Sequence, residues 1–294
     1  MNLSNPTNPT DPTNLTNPTN LTNPTESTAR SAPDTRDARL LFLGTGTSHG
    51  VPMIGCHCAV CTSTDPRDTR TRTSVYLTLP DGMSILIDTS PDLRAQALRH
   101  DVPRVDAVLY THGHADHVLG LDDMRRFNAL QRTRIPCYGD PLTVAEIRRT
   151  FSYIFDRTTS AGGGLPEIDL FPLVGPFSLG RHEITPVPLW HGQRLVYGYR
   201  LGSLAYLTDC SAIPDGSWDL IQGVDVLIVD ALRHRSHPTH LTVAEALAVV
   251  ERLGPAEAWF THICHDLPHS TTSAALPENV QLAYDGLSVS FRLD

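Results

Sequence analysis

The chain has 294 residues and a net charge of −9. The length suits one large domain or two small ones, and the charge excludes a protein-wide basic surface for gripping nucleic acid. All 23 basic residues are arginine, which removes Schiff-base chemistry on lysine and any phosphate loop that needs one.

In chain order, the first segment is a run of Asn-Pro-Thr and Asn-Leu-Thr triplets from Asn2 to Thr25. It has too little apolar surface to offset the entropy of ordering, so a disordered tail is expected over residues 1–37. A single globular domain is expected over 38–294. Short apolar runs rich in β-branched residues predict strands at Leu40–Leu43, Ser74–Leu79, Ser84–Asp88, Ala107–Thr111, Glu183–Trp190, Val196–Leu201, Leu204–Thr208, Asp225–Asp230, Ala258–His262 and Leu287–Leu293. Helices are predicted at Pro91–His100, Leu119–Gln131, Thr143–Phe155 and Thr242–Leu253. The last has Thr242 and Glu245 at capping-box spacing and stops at Gly254-Pro255. Asp156–Pro166, with three consecutive glycines, reads as a loop that either covers a site or merely connects. Strands in groups with helices between them fit an α/β fold of two mixed sheets packed face to face, helices outside. No apolar run is long enough to span a bilayer, and the N-terminus lacks a secretory pattern, so a cytoplasmic protein without membrane attachment is expected.

The stretch Val108–Val118 reads V-L-Y-T-H-G-H-A-D-H-V. His112 and His114 alternate, so they project the same way from extended backbone. Asp116 and His117 fall at the start of the next helix and can face a second centre. Four ligand-type residues in six positions after a strand form a strong metal signature. Later apolar runs end in His191, Asp209 and His262, each where a scaffold can hold a ligand. The assignment that follows places His112, His114 and His191 on one metal and Asp116, His117 and His262 on the other, with the two oxygens of Asp209 between them. Two such cations would turn a bridging water into hydroxide near neutral pH. Asp88, after another apolar run, could orient a histidine, or could be a turn residue.

Cys56, Cys58 and Cys61 form a C-x-C-x2-C cluster that suits tetrahedral zinc better than disulfides. The fourth ligand could be His57, Cys137, Cys210, Cys264 or His265. His57 sits between two cysteines, which disfavours it. His265 lies three residues past His262, so one loop could serve both sites.

These motifs resemble the metallo-β-lactamase superfamily and, within it, the PhnP-like phosphoribosyl cyclic phosphate phosphodiesterases. The likeness rests on G-T-G-T-S-H-G-V-P at Gly44–Pro52, the cysteine cluster, T-H-G-H-A-D-H, P-L-W-H-G, L-T-D-C, T-H-I-C-H and the closing D-G-L-S-V-S-F. The resemblance implies a four-layer αββα sandwich, a structural zinc on Cys56, Cys58, Cys61 and His265, and two zinc or manganese ions in the active site. It also implies hydrolysis of small cyclic phosphodiesters such as 5-phosphoribosyl 1,2-cyclic phosphate, with Asp116 and His240 as catalytic residues. His240, in P-T-H-L-T, would protonate the departing oxygen. Arg70 and Arg72 could bind a second phosphate or be solvated surface groups. The expected partner is a small molecule rather than nucleic acid or membrane, with a homodimer as the common default. The competing readings are a lactone or thioester hydrolase, a transfer-RNA 3′-processing nuclease, and a non-catalytic carrier like the pyrroloquinoline-quinone B protein.

Overall fold

The computed structural model describes residues 37–156 and 164–293. The repetitive N-terminal segment and residues 157–163 of the predicted glycine loop lie outside them. Among the described residues, two seven-stranded sheets are built in chain order. The first takes β1 (Ala38–Gly44), β2 (Ser74–Thr78), β3 (Ser84–Ile87), β4 (Ala107–Leu109), β5 (Ile135–Gly139) and β6 (Ile168–Pro172). The second takes β7 (Phe177–Leu179), β8 (His182–His191), β9 (Arg194–Leu201), β10 (Leu204–Leu207), β11 (Val226–Asp230), β12 (Glu257–Thr261) and β13 (Val280–Leu282). The last strand, β14 (Ser288–Phe291), returns to pair with β1 at the edge of the first sheet. Strands β3 to β6 run parallel, as do β10 to β13.

Side-chain alternation divides the core into layers. In β3, Ile85 and Ile87 enter the cluster between the sheets, where they join Phe42, Leu77, Tyr199 and Ile228. Leu86, between them, points to the opposite face and packs with Leu93, Met124, Phe127 and Ile147. Those four belong to α1 (Leu93–Arg99), α3 (Met124–Gln131) and α4 (Pro141–Thr150), the last followed by the short α5 (Ser152–Phe155). On the second sheet, Leu227, Val229 and Phe260 face α7 (Val243–Leu253), preceded by the short α6 (Asp215–Trp218) and followed by α8 (His269–Ala275). The result is helix, sheet, sheet, helix, the expected αββα order. Among the described residues no helix is long and apolar enough to cross a membrane.

Local chemistry sets the boundaries. α7 begins at a complete capping box: Thr242 Oγ1 accepts from the Glu245 N–H, and the Glu245 carboxylate accepts from the Thr242 N–H at 2.8 Å. It ends at Gly254, whose φ of 61° is the left-handed conformation glycine adopts without strain. The helix expected over Leu119–Gln131 is a 3₁₀ turn at Leu121–Asp123 followed by α3, and a separate short helix, α2 (Ala115–Val118), precedes it. Gly120 lies between them, where a Cβ would meet the Ser90 carbonyl oxygen at 2.0 Å. The loop after β3 therefore crosses the chain there, and Gly120 N–H donates to Thr89 O. α4 starts two residues earlier than expected because Asp140 caps it, accepting from Leu142 N–H and Thr143 N–H, with Pro141 at the first helical position.

A candidate dinuclear metal centre and a cysteine cluster

The carboxyl ends of the parallel strands converge on one edge of the sandwich. After β4, Thr111 is pinned by Asp88: its N–H donates to Asp88 Oδ1 and its Oγ1 to Oδ2, both at 2.8 Å. That fixes the backbone from which His112 projects. Gly113 is required next, because a Cβ there would meet Glu146 Oε2 at 2.0 Å, and Arg194 holds that carboxylate at 2.7 Å. His114 follows in extended conformation, and α2 then carries Asp116 and His117. His191 is the last residue of β8, Asp209 lies two residues past β10, and His262 follows β12. Asp88, Asp209 and His262 all have φ between 52° and 64°. Non-glycine residues rarely adopt this region, and it clusters at functional sites.

The structure brings together all seven residues of the proposed centre. His112, His114 and His191 form one group and Asp116, His117 and His262 another, with ligand atoms inside each group within 4.8 Å of one another. Asp209 lies between them. Its Oδ2 is 3.7 Å from His112 Nε2 and 3.8 Å from His191 Nε2, while its Oδ1 is 3.3 Å from His117 Nε2 and 3.4 Å from His262 Nε2. All four separations lie beyond the usual N–H···O range, and they fall near the roughly 3.4 Å between two ligands of a tetrahedral ion with bonds of about 2.1 Å. The Nε2 atoms of His112, His117 and His262 are buried without any hydrogen-bond partner. Three orphaned ring nitrogens aimed at one carboxylate fit a pair of divalent cations.

The outer face of each ring is braced. His117 Nδ1–H donates to Asp88 Oδ2 at 2.7 Å, and His191 Nδ1–H to the Thr239 carbonyl at 2.8 Å. Each bond fixes the tautomer that leaves the Nε2 lone pair facing inward. Asp88 thus has the orienting role considered for it. Asp230, the last residue of β11, was not anticipated. Its Oδ2 accepts from His240 Nδ1–H at 2.9 Å and from Cys210 N–H at 3.1 Å, and its Oδ1 lies 3.7 Å from His262 Nδ1. The signal was present in the sequence: Asp230 ends an apolar strand, as Asp88 and Asp209 do.

Burial and neighbouring imidazoles push His112 well below the usual histidine range, and burial lowers His114 and His191. Burial opposes the charge on His117 too, but Asp209, Asp116 and Asp88 override it and raise that ring well above its usual value. His240 is pushed down by burial, yet Asp230 lifts it to about 9. His240 packs edge-on against His191 and stacks on His262 at 4.7 Å.

Cys56, Cys58 and Cys61 surround His265, whose Nδ1 is 3.3, 3.4 and 3.5 Å from the three sulfurs. Sulfur and nitrogen on one tetrahedral zinc would be about 3.6 Å apart. Of the other candidates, Cys137 and Cys210 are buried in the cores, and Cys264 and His57 stand outside the group. The Cys61 N–H lowers the Cys58 thiol to about 6, while burial raises Cys61 to about 11.

Arg70 and Arg72 face neither site. The Arg70 side chain is fully buried, and it donates to Cys264 O at 2.8 Å, Leu267 O at 2.7 Å and Asp68 Oδ1 at 2.9 Å. It is a strut under the loop that carries His265. Arg72 pairs with Asp92 at 3.3 Å.

The fold and this arrangement of ligand-type side chains define a class. A model of the beta-lactamase superfamily domain matches residues 84–263, and the chain belongs to that family, with the metallo-β-lactamase fold. Among particular relatives, the crystal structure of a new diphosphatase from the PhnP family is 46% identical, with a TM-score of 0.82 over 87% of this chain and 98% of that one. An octanoyltransferase from Porphyromonas gingivalis is 36% identical over 251 residues, 85% of this chain. This chain spans 51% of that relative's length. The coenzyme PQQ synthesis protein B of Methylobacterium nodulans is 30% identical over 218 residues, 65% of this chain and 71% of that protein.

Proposed function

We propose that this metallo-β-lactamase-fold hydrolase cleaves phosphorus–oxygen bonds in small phosphodiesters, with cyclic sugar phosphates such as 5-phosphoribosyl 1,2-cyclic phosphate as the reading to test first. The observation that carries it is the Asp209 carboxylate set between two histidine groups, with the Asp230–His240 pair beside it. The PhnP-family diphosphatase at 46% identity supports phosphoryl chemistry. His112, His114, His191 and Asp209 would hold one divalent ion, and Asp116, His117, His262 and Asp209 the other. When bound, such a pair polarises a phosphoryl oxygen and brings the pKa of water toward neutrality.

The chain's own groups do the rest. Asp88 and the Thr239 carbonyl keep His117 and His191 turned inward. Asp116 accepts a hydrogen bond from the attacking water and orients it. Asp230 lies against His240 and favours its protonated form. As water adds to phosphorus, the ester bond breaks, and the departing oxygen takes that proton. A cavity of about 220 Å³ opens beside His240 and His262. Its size suits a small metabolite and argues against a folded RNA, and its cationic lining favours an anion over a lactone or thioester. The presence of all seven ligand positions argues against a carrier.

The test is metal content together with turnover of bis(p-nitrophenyl) phosphate, 5-phosphoribosyl 1,2-cyclic phosphate and a nucleoside 5′-diphosphate, with His114→Ala as the control. About three metals per chain and diester cleavage lost in the control are expected. Diphosphate cleavage without diester cleavage would move the reaction to the bond named for the PhnP-family relative. Fully metal-loaded protein that cleaves neither would overturn the reading.

A further inference from the structure

The helical layer outside the first sheet carries a groove that the proposed reaction does not use. It lies between α1 and α3 and has a volume of about 390 Å³. Leu93 and Phe127, buried in the core below, supply its floor. Leu98 and Leu130 also line it, yet they are 64% and 51% exposed. One exposed leucine needs no explanation, but two lining the same apolar groove mark a contact surface. None of the residues that line this groove lines the cavity beside His240 and His262.

Charge sets the kind of partner. α1 and α3 together hold four arginines and no acid, in a protein of net charge −9. Arg94 and Leu98 stand one helical turn apart on α1, and Arg126 and Leu130 do the same on α3. All four side chains line the groove. Arg94 and Arg126 are exposed, and among the described residues no carboxylate lies within ion-pair distance of either. Arg125, outside the groove, pairs with Asp122 at 3.2 Å. The acid that does line the groove is Asp123, where α3 begins, and burial together with Asp122 raises its pKa.

We propose that this groove docks an amphipathic helix of a partner protein, one whose apolar stripe is bordered by aspartate or glutamate. The partner's apolar side chains fill the space beside Leu98 and Leu130, and its carboxylates meet the guanidinium forks of Arg94 and Arg126. A second copy of this chain fits less well, because a two-fold contact brings the same arginines face to face. The chain's own repeat over Asn2–Thr25 has one acid, Asp11, and proline in most of its triplets, so its sequence has neither the charge nor the apolar period. A lipid surface is met by apolar side chains that protrude, whereas here they line a hollow. A partner seated on α1 and α3 leaves the cavity beside the centre open to small molecules.

The probe is a fluorescein-labelled helical peptide with leucines at i, i+3, i+4 and i+7 and glutamate elsewhere, titrated with the full-length protein and read by anisotropy. The control peptide has lysine in place of every glutamate. The glutamate peptide should bind at least about tenfold more tightly than the lysine peptide, and more weakly as salt is raised. Arg94→Glu combined with Arg126→Glu should weaken it at least about tenfold, and so should Leu98→Ser combined with Leu130→Ser. All four positions are exposed or at the surface, so Tm should stay close to wild type. Arg125→Glu should have little effect, and Asp123→Asn should bind the peptide as tightly as wild type or more so. No binding by the wild type, equal binding of the two peptides, or binding unchanged in the double arginine variant would overturn the proposal. A wild type that sediments as a dimer and becomes a monomer in Leu98→Ser would give the groove to a second copy instead. Arginine-dependent co-sedimentation with phosphatidylglycerol vesicles would give it to a lipid surface. The assay involves no turnover, so it stands or falls apart from the phosphoesterase reading.

Discussion

The two clusters of ligand-type residues are built in opposite ways. The cysteine cluster takes three side chains from six consecutive positions and a fourth from His265, and all four are only half-buried. The histidine–aspartate centre gathers side chains from the ends of β4, β8, β10 and β12, mostly buried, with Asp88 and Asp230 behind them. The first has four donors facing one point, the closed set of a structural zinc. The second has seven donors around two points and a cavity beside them, the open set of a catalytic site. One short loop, His262-Ile263-Cys264-His265, belongs to both. What holds the cysteine cluster therefore also sets the position of a residue at the centre.

The sharpest way to break that comparison is to remove a group unique to one side. Asp209→Asn keeps size and burial but replaces one of the two carboxylate oxygens that face the two histidine groups. Activity is expected to fall by at least about 10³-fold, with the circular-dichroism spectrum and Tm close to wild type and zinc retained at the cysteines. An active Asp209→Asn enzyme would mean that the two groups do not work as one site. Arg70→Met cuts from the other side. It leaves Asp68 and two carbonyls without their buried donor and should cost about 3–5 kcal/mol in urea unfolding. Activity of the folded fraction should fall far less than in Asp209→Asn. If Arg70→Met costs less than about 1 kcal/mol, the strut role is wrong. A smaller effect is expected from Asp88→Asn. It weakens the bond to His117 Nδ1–H without touching a ligand, and should reduce metal affinity at the centre about 10–100-fold, read by competition with a chelator. Affinity at the cysteines should not change.

These differences in construction also explain what the sequence made legible. His112 to His117 are contiguous, so their pattern needs no knowledge of the fold. His191, Asp209 and His262 each end an apolar run, and the same rule found Asp88. Asp230 satisfied that rule too, but its partner His262 follows β12, which only the sheet order brings alongside β11, and His240 is returned to it by the fold of the loop after β11. Arg70 read as a phosphate-binding or surface group because its acceptors, Cys264 O and Leu267 O, are nearly 200 residues away in sequence. In the fold, β5 (Ile-Pro-Cys-Tyr-Gly) carries a proline and ends in glycine, which reads as a turn until parallel pairing with β4 and β6 is known. β7 and β13 have three residues each, too few for any period to show. The break between α2 and α3 depends on the Ser90 carbonyl crossing at Gly120, a tertiary contact that no helical pattern contains.

The smallest expected effect concerns acid, and it belongs to the region of the cysteine cluster. His269 begins α8 beneath the Arg70 strut, its backbone N–H on Asp68 and its ring edge-on to Tyr284. Burial, helped by the charges of Arg67 and Arg70, lowers its pKa to about 4, against 6.5 when unexposed to such surroundings. Between those values the unfolded chain binds a proton that the folded chain refuses. Stability therefore rises with pH across the window, and falls as pH drops from about 6.5 toward 4. In His269→Leu the ring cannot titrate, so that part of the slope should vanish. Acid release of any metal held by the cysteines would act on both proteins and cancel in the difference. Plotted against pH, the Tm of the wild type should drop more steeply than that of His269→Leu below pH 6.5 and run parallel to it above pH 7. Parallel curves throughout would mean that His269 is already open to protons in the folded state, and that acid reaches this region through the cysteine cluster alone.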